Sequence, residues 1–137
     1  QFVAPDMQKC KIAFEKADVN HSKMLEINEI QSALQVFDLK INAENLEKIF
    51  VIIDQNKDGK LDIDEFSRLV YVLQNADLTD LKKVLFLAHD MHFDGLLDGI
   101  YHDGIFQQLG VNKEERKIIF GQVNYQDFVK MLPQRLQ

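Results

Sequence analysis

Residues 54–65, DQNKDGKLDIDE, put an oxygen donor at nearly every second position: Asp54, Asn56, Asp58, the Lys60 carbonyl and Asp62, with Glu65 at the twelfth place. Carboxylate and amide oxygens alternating along one turn form a cage for a hard divalent cation. Such a loop closes around a single point only if the chain turns sharply at its sixth residue, and Gly59 stands there. Glu65 falls where an apolar helical pattern begins. It can therefore offer two oxygens from the first turn of a helix and drag that helix when an ion is held. Calcium takes six to eight oxygens at roughly 2.3–2.6 Å and suits the loop. Magnesium, which prefers a smaller octahedron and keeps its waters, is the weaker competitor.

The elements that must position this loop recur. Asp18, Asp54 and Asp90 each open an Asp-led stretch, at even intervals of 36 residues. Each is preceded four residues earlier by an aromatic ring (Phe14, Phe50, Phe86) with an apolar neighbour (Ala13, Ile49, Leu85), which is helical spacing for a buried stripe. After the loops, apolar residues return at three- and four-residue steps, as in Ile30, Ala33, Leu34 and Phe37, then Phe66, Leu69, Val70 and Leu73. Helix–loop–helix is thus the repeating unit. Pro5 and Asp6 suit a first helical turn, Asn42 precedes another helix, and Asp77 or Thr79 a third. LQNADLTD, residues 73–80, is the expected boundary between halves.

These residues and their spacing resemble the EF-hand superfamily, of the calmodulin and troponin C type, most fully over residues 42–75. The resemblance implies an all-α protein of two lobes, each a pair of hands joined by short β-pairing at loop position eight, Leu25 with Leu61 and Leu97 with Val123. Residues 1–76 are expected to form a calcium-binding pair and residues 77–137 a degenerate, calcium-independent pair. In the first loop, DVNHSKMLEINE, the ligands would be Asp18, Asn20, Ser22, the Met24 carbonyl, Glu26 and Glu29, but Lys23 replaces glycine at position six. A non-glycine residue at positive φ costs about 1–2 kcal/mol, so a weaker site is expected there.

The third loop, DMHFDGLLDGIY, keeps Asp90, Asp94, Gly95 and Asp98 but places His92 at position three and Tyr101 at position twelve, and without a terminal carboxylate calcium is not held. Of the fourth hand only the close is legible, GQVNYQDFVKML. Asp127 falls at its position twelve and Arg116 at its position one, ten residues early, with Ile118 and Phe120 where oxygens would be needed. Asn112 and Glu115 read as a capping box before a helix over KEERKIIF, followed by a turn at Gly121.

Composition narrows the partners. The 137 residues are 46% apolar, enough for a core, and 22 acidic against 16 basic residues give a net charge of -6, the wrong sign for a nucleic-acid surface. No stretch approaches the apolar length of a membrane span, and the lone Cys10 suggests a reducing, cytoplasmic setting. No nucleophile motif is present, so no catalytic residue is assigned and an enzyme is not expected. His89, His92 and His102 read as residues beside a decayed loop rather than as zinc or copper ligands. Only four methionines occur, which argues against a promiscuous methionine groove. Loss of half the sites favours a calcium sensor or adaptor that engages a protein target, an amphipathic helix or docking segment, with a buffer as the alternative. A monomer is the expected state.

Overall fold

A computed structural model describes residues 2–54, 57–99, 102–116 and 121–137, with the side chains of His102 and Asp103 outside the description. The chain is mostly helical. In order, α1 spans Met7–Ala17, α2 Ile27–Leu34, α3 Ala43–Ile53, α4 Ile63–Asn75, α5 Leu81–Ala88, α6 His102–Gln108 and α7 Tyr125–Lys130, and two three-residue strands, β1 (Leu96–Asp98) and β2 (Gln122–Asn124), flank α6.

The helix starts follow from capping chemistry. Asp6 accepts the Lys9 N–H at 3.1 Å to open α1, and Asn42 accepts the Asn45 N–H at 2.7 Å to open α3. The cap of α5 is neither Asp77 nor Thr79 but Asp80, which accepts the Lys83 N–H. Asp77 is instead spent on a local turn, where its carboxylate takes both the backbone N–H and the hydroxyl of Thr79, and the helix starts only beyond that turn.

Both expected pairings between loops are present. Leu25 and Leu61 exchange two backbone bonds, of 2.8 and 2.9 Å, as an isolated antiparallel bridge. β1 and β2 pair antiparallel with Leu97 opposite Val123. All three leucines are fully buried, so each pairing sits on the core face of its loops. The expected helix over KEERKIIF is shortened where it is described. The Asn112–Glu115 box forms, but it holds only one 3₁₀ turn, Lys113–Glu115, before Arg116 turns extended; residues 117–120 lie outside the described part. Arg116 reaches back to the Val111 carbonyl through Nε, which turns its side chain against this short element.

The rings ahead of the loops, Phe14, Phe50 and Phe86, are buried as the spacing required. α4 differs from an ordinary surface helix, which buries one stripe: residues 65–72 are buried without interruption. Helices α1 and α3 pack against it, and so does α5, so α4 is enclosed by elements from both halves of the sequence. One contiguous cluster of buried side chains runs from Cys10 to Leu132.

Candidate metal centre

In the second loop Asp54 ends α3 and is almost wholly buried, at 4% exposure. Its Oδ2 accepts the Gly59 N–H at 2.9 Å, and Gly59 holds φ 77°, the left-handed turn that position six demands. Its Oδ1 is buried with no hydrogen-bond partner among the described residues. A buried acceptor left unsatisfied costs about 1–3 kcal/mol, so this oxygen calls for a donor or a cation. A hard cation meets that need, and the residues here fit one. Asp58 Oδ1 accepts the Lys60 N–H at 3.0 Å, which shapes the middle of the loop; Asn56 lies outside the described residues.

At the end of the loop Asp62 and Glu65 hold one another. Asp62 Oδ1 accepts the Glu65 N–H at 2.8 Å, and Glu65 Oε1 accepts the Asp62 N–H at 3.1 Å. This capping box starts α4, so the last two candidate ligands double as its N-terminal lock. Among the described residues no three His, Cys, Asp or Glu side chains converge as a ready-made cluster. The loop is laid out for an ion, but its terminal carboxylates are engaged with the helix.

The first loop is folded onto its own hydrogen bonds. Asp18 Oδ2 accepts the Lys23 N–H at 2.8 Å, while Oδ1 accepts the Ser22 N–H at 3.0 Å and lies 3.3 Å from the Ser22 hydroxyl. Asn20 Oδ1 takes the Ser22 N–H as well, at 3.1 Å, and the hydroxyl is 3.0 Å from the Met24 carbonyl. Glu29 accepts the Glu26 N–H at 2.9 Å, repeating the box of the second loop. The candidate ligand groups of this loop already have protein partners, Glu26 through the capping box included, where Asp54 has an idle oxygen. Lys23 itself sits at φ 66°, so its strain is carried by the folded loop rather than added when an ion is taken up.

The third loop keeps the same backbone. Position six is left-handed in all three loops (Lys23, Gly59, Gly95), and so is position four: His21 at 56°, Lys57 at 60° and Phe93 at 55°. Sequence reasoning missed position four, because the three residues there share no chemistry. Gly95 donates its N–H to Asp90 Oδ2 at 2.8 Å, as Gly59 does to Asp54. Asp90, however, is fully buried, and the same Oδ2 also accepts the Tyr71 hydroxyl at 2.7 Å. Burial holds its carboxyl above the usual range, while the Tyr71 and Gly95 bonds pull the other way. Asp98 Oδ1 accepts from Gln122 Nε2 at 3.1 Å across the β1–β2 ribbon. Position twelve, Tyr101, is outside the described residues.

His89 lies against the Leu85 carbonyl through Nδ1 at 2.9 Å, and burial, with Arg68 nearby, lowers its pKa, which favours the neutral ring. Arg68, buried on α4, places Nη1 2.9 Å from the Met91 sulfur. Neither it nor Tyr71 was singled out from the sequence, because on a helix with an apolar stripe their spacing reads as solvent-facing or as core. A cleft of about 720 Å³ runs past Met7, Phe14, Asp18, Lys23, Asp62 and Ile63, between α1 and the start of α4.

Residues 7–71 match the family model of the EF-hand domain pair. Relatives include mitochondrial substrate carrier family protein C of Dictyostelium discoideum, 29% identical over 84% of this chain and 23% of its own length. The mitochondrial adenyl nucleotide antiporter SLC25A24 of Bos taurus is 31% identical over 76% of the chain and 21% of its own. The probable calcium-binding protein CML31 of Arabidopsis thaliana is 27% identical over 71% and 70%. The chain therefore spans between a fifth and a quarter of the length of the carriers it matches.

Proposed function

The chain belongs to the EF-hand superfamily, which implies calcium binding, and from that premise we propose that it is a calcium sensor or adaptor acting on a protein target. In this reading residues 54–65 hold the principal ion through Asp54, Asn56, Asp58, the Lys60 carbonyl, Asp62 and Glu65. Residues 18–29 hold a second, weaker one through the corresponding oxygens of Asp18, Asn20, Ser22, Met24, Glu26 and Glu29. Magnesium competes at the first of these sites. The observation that carries the reading is the idle, buried Oδ1 of Asp54 beside the left-handed Gly59. The weaker rank of the first loop rests on its self-satisfied donors.

Residues 1–76 then form the calcium-binding pair and residues 77–137 a calcium-independent pair, set in a reducing, cytoplasmic environment. No helix among the described residues is long and apolar enough to cross a membrane. When Glu65 lends both oxygens to an ion, Oε1 divides its lone pairs between the ion and the Asp62 N–H, which weakens the lock on α4. Because α4 is packed from both halves, a shift at its start reaches α5 and the third loop. That favours a sensor over a buffer, in which ion uptake changes little else. In the carrier relatives the matched segment accompanies a much longer remainder, and an EF-hand module acting on an attached or separate target is the adaptor role assigned to this chain.

Calorimetry with a parallel NMR titration tests the proposal. A dissociation constant on the order of 10⁻⁷ to 10⁻⁵ M is expected, with the Gly59 amide shifting first. No heat up to millimolar calcium would end the reading. Affinity capture with and without chelator separates the roles: a sensor gains a partner when calcium is added and a buffer does not.

A further inference from the structure

The residues ahead of α1 enter the second half of the molecule. Phe2 sets its ring edge-on to Tyr71 (centroids 6.5 Å apart, 79° between planes) and Tyr125 (5.9 Å, 74°), and 6.2 Å from Phe86. Next to it, Asn75 at the end of α4 grips the backbone of Val3 from both sides. Its Oδ1 accepts the Val3 N–H at 2.7 Å and its Nδ2 donates to the Val3 carbonyl at 2.8 Å. The second Nδ2 proton goes to the Tyr71 carbonyl at 2.8 Å, which orients the amide. Tyr71 is in turn fixed by Asp90 and stacked edge-on against Phe93 at 5.1 Å.

We infer that this cleft is a recognition site for an extended polypeptide segment bearing an aromatic residue, held in cis by Phe2 and Val3 and open to a partner segment of the same chemistry. A side-chain amide that reads the N–H and C=O of one residue reproduces a rung of a β-ladder. A helical segment has those groups engaged internally, so the amide selects extended chain and is indifferent to the side chain beside it. Selectivity comes from the ring pocket one residue earlier, where edge-to-face packing favours an aromatic.

Three features make the cis occupant exchangeable. Val3 is 67% exposed and Ala4 is exposed too, so the segment is anchored mainly at Phe2 and the Asn75 clamp. Helix α1 has its own cap in Asp6 and does not need residues 2–4 to begin. Beside Phe2 a hollow of about 680 Å³ continues along Lys83, Phe93, Leu96, Asn124 and Gln126, room for a segment longer than the one now seated. None of the candidate calcium ligands of the first two loops lines this cleft, so its occupancy can be tested without calcium.

The test uses the full chain with chelator present and a peptide of residues 1–8, QFVAPDMQ, carrying fluorescein at its C-terminus. By anisotropy, Phe2→Ala should bind the peptide at least tenfold more tightly than the wild type, whose cleft is filled. Adding Asn75→Ala should cost at least tenfold again, and a peptide with alanine in place of its phenylalanine should not bind. Equal binding by wild type and Phe2→Ala, or binding indifferent to Asn75, would overturn the assignment. Should Phe2→Ala fail to fold, Phe2→Leu keeps a smaller apolar plug and should give intermediate binding. A wild-type dimer by ultracentrifugation that disappears in Phe2→Ala would make the occupant a second copy of this chain and overturn the assignment of a foreign segment.

Discussion

Tyr71, in the middle of α4, donates its hydroxyl at 2.7 Å to Asp90, the first residue of the third loop, and both are fully buried. The exit helix of the second hand is thereby bonded to a loop that has lost its terminal carboxylate, and the carboxylate that would open a metal site there serves as an anchor. Tyr71→Phe removes one donor from a buried carboxylate and should cost about 1–3 kcal/mol in urea unfolding, with calcium stoichiometry unchanged.

The same pair sets a pH dependence. Burial raises the Asp90 pKa in the folded state, so folding favours its protonated form. That contribution is complete below the unfolded carboxylate value and is lost as pH rises through the raised folded one. Tyr71→Phe takes away a bond that lowers this pKa, so the Asp90 carboxyl should titrate still higher, as carbon-detected NMR of its Cγ would report.

Glu115 titrates in the opposite direction. Arg135 binds it through Nη1 and Nη2, at 2.6 and 2.8 Å, and its pKa falls to about 2, first through that bond and then through the Asn112 N–H. A lowered carboxylate pKa contributes stability that is present above the unfolded value and lost as pH falls through about 2. Arg135→Ala should return the Glu115 titration toward the ordinary glutamate range in the same NMR experiment.

Much of this architecture is legible in the sequence because it is local and periodic. The Phe14, Phe50 and Phe86 stripe follows from spacing within a repeat, the helix starts near Asp6 and at Asn42 from local capping chemistry, and the Leu25–Leu61 and Leu97–Val123 pairings from the resemblance to paired hands. What escaped depends on contacts between segments far apart in the chain. The Val3–Asn75 clamp joins residues 72 positions apart, and Tyr71 becomes an anchor only because α5 brings Asp90 to it. At Asp77 a local rule pointed to the wrong residue, since two Asp side chains three positions apart compete for one helix start and the turn made by Asp77 leaves the cap to Asp80. In the candidate site the order of the oxygen-bearing residues was readable, but the engagement of Asp62 and Glu65 with each other was not, because a capping box and an ion draw on the same carboxylates.

Lys23 separates strain from affinity. It holds φ 66° in a loop whose position-six N–H bond to Asp18 is as short as that of Gly59 to Asp54. Lys23→Gly should therefore raise folding stability by about 1 kcal/mol by thermal or urea unfolding, while the calcium affinity of the first loop changes by less than about threefold. A large gain in affinity would show that the turn opens before an ion is taken up.

Glu65→Gln distinguishes the helix lock from the ion site. A glutamine keeps an oxygen that can accept the Asp62 N–H, so the capping box and the start of α4 survive and the unliganded chain should unfold within about 0.5 kcal/mol of the wild type. It gives up the charge and the two-oxygen grip, so calcium affinity of the second loop should fall tenfold to a hundredfold, about 1.4–2.8 kcal/mol by calorimetry. Tyr101→Ala, at the same position of the third loop, should leave both affinity and stoichiometry as they are. Equal losses in the two variants would mean that position twelve acts through packing rather than as a ligand, and the assignment of the second loop would fall with it.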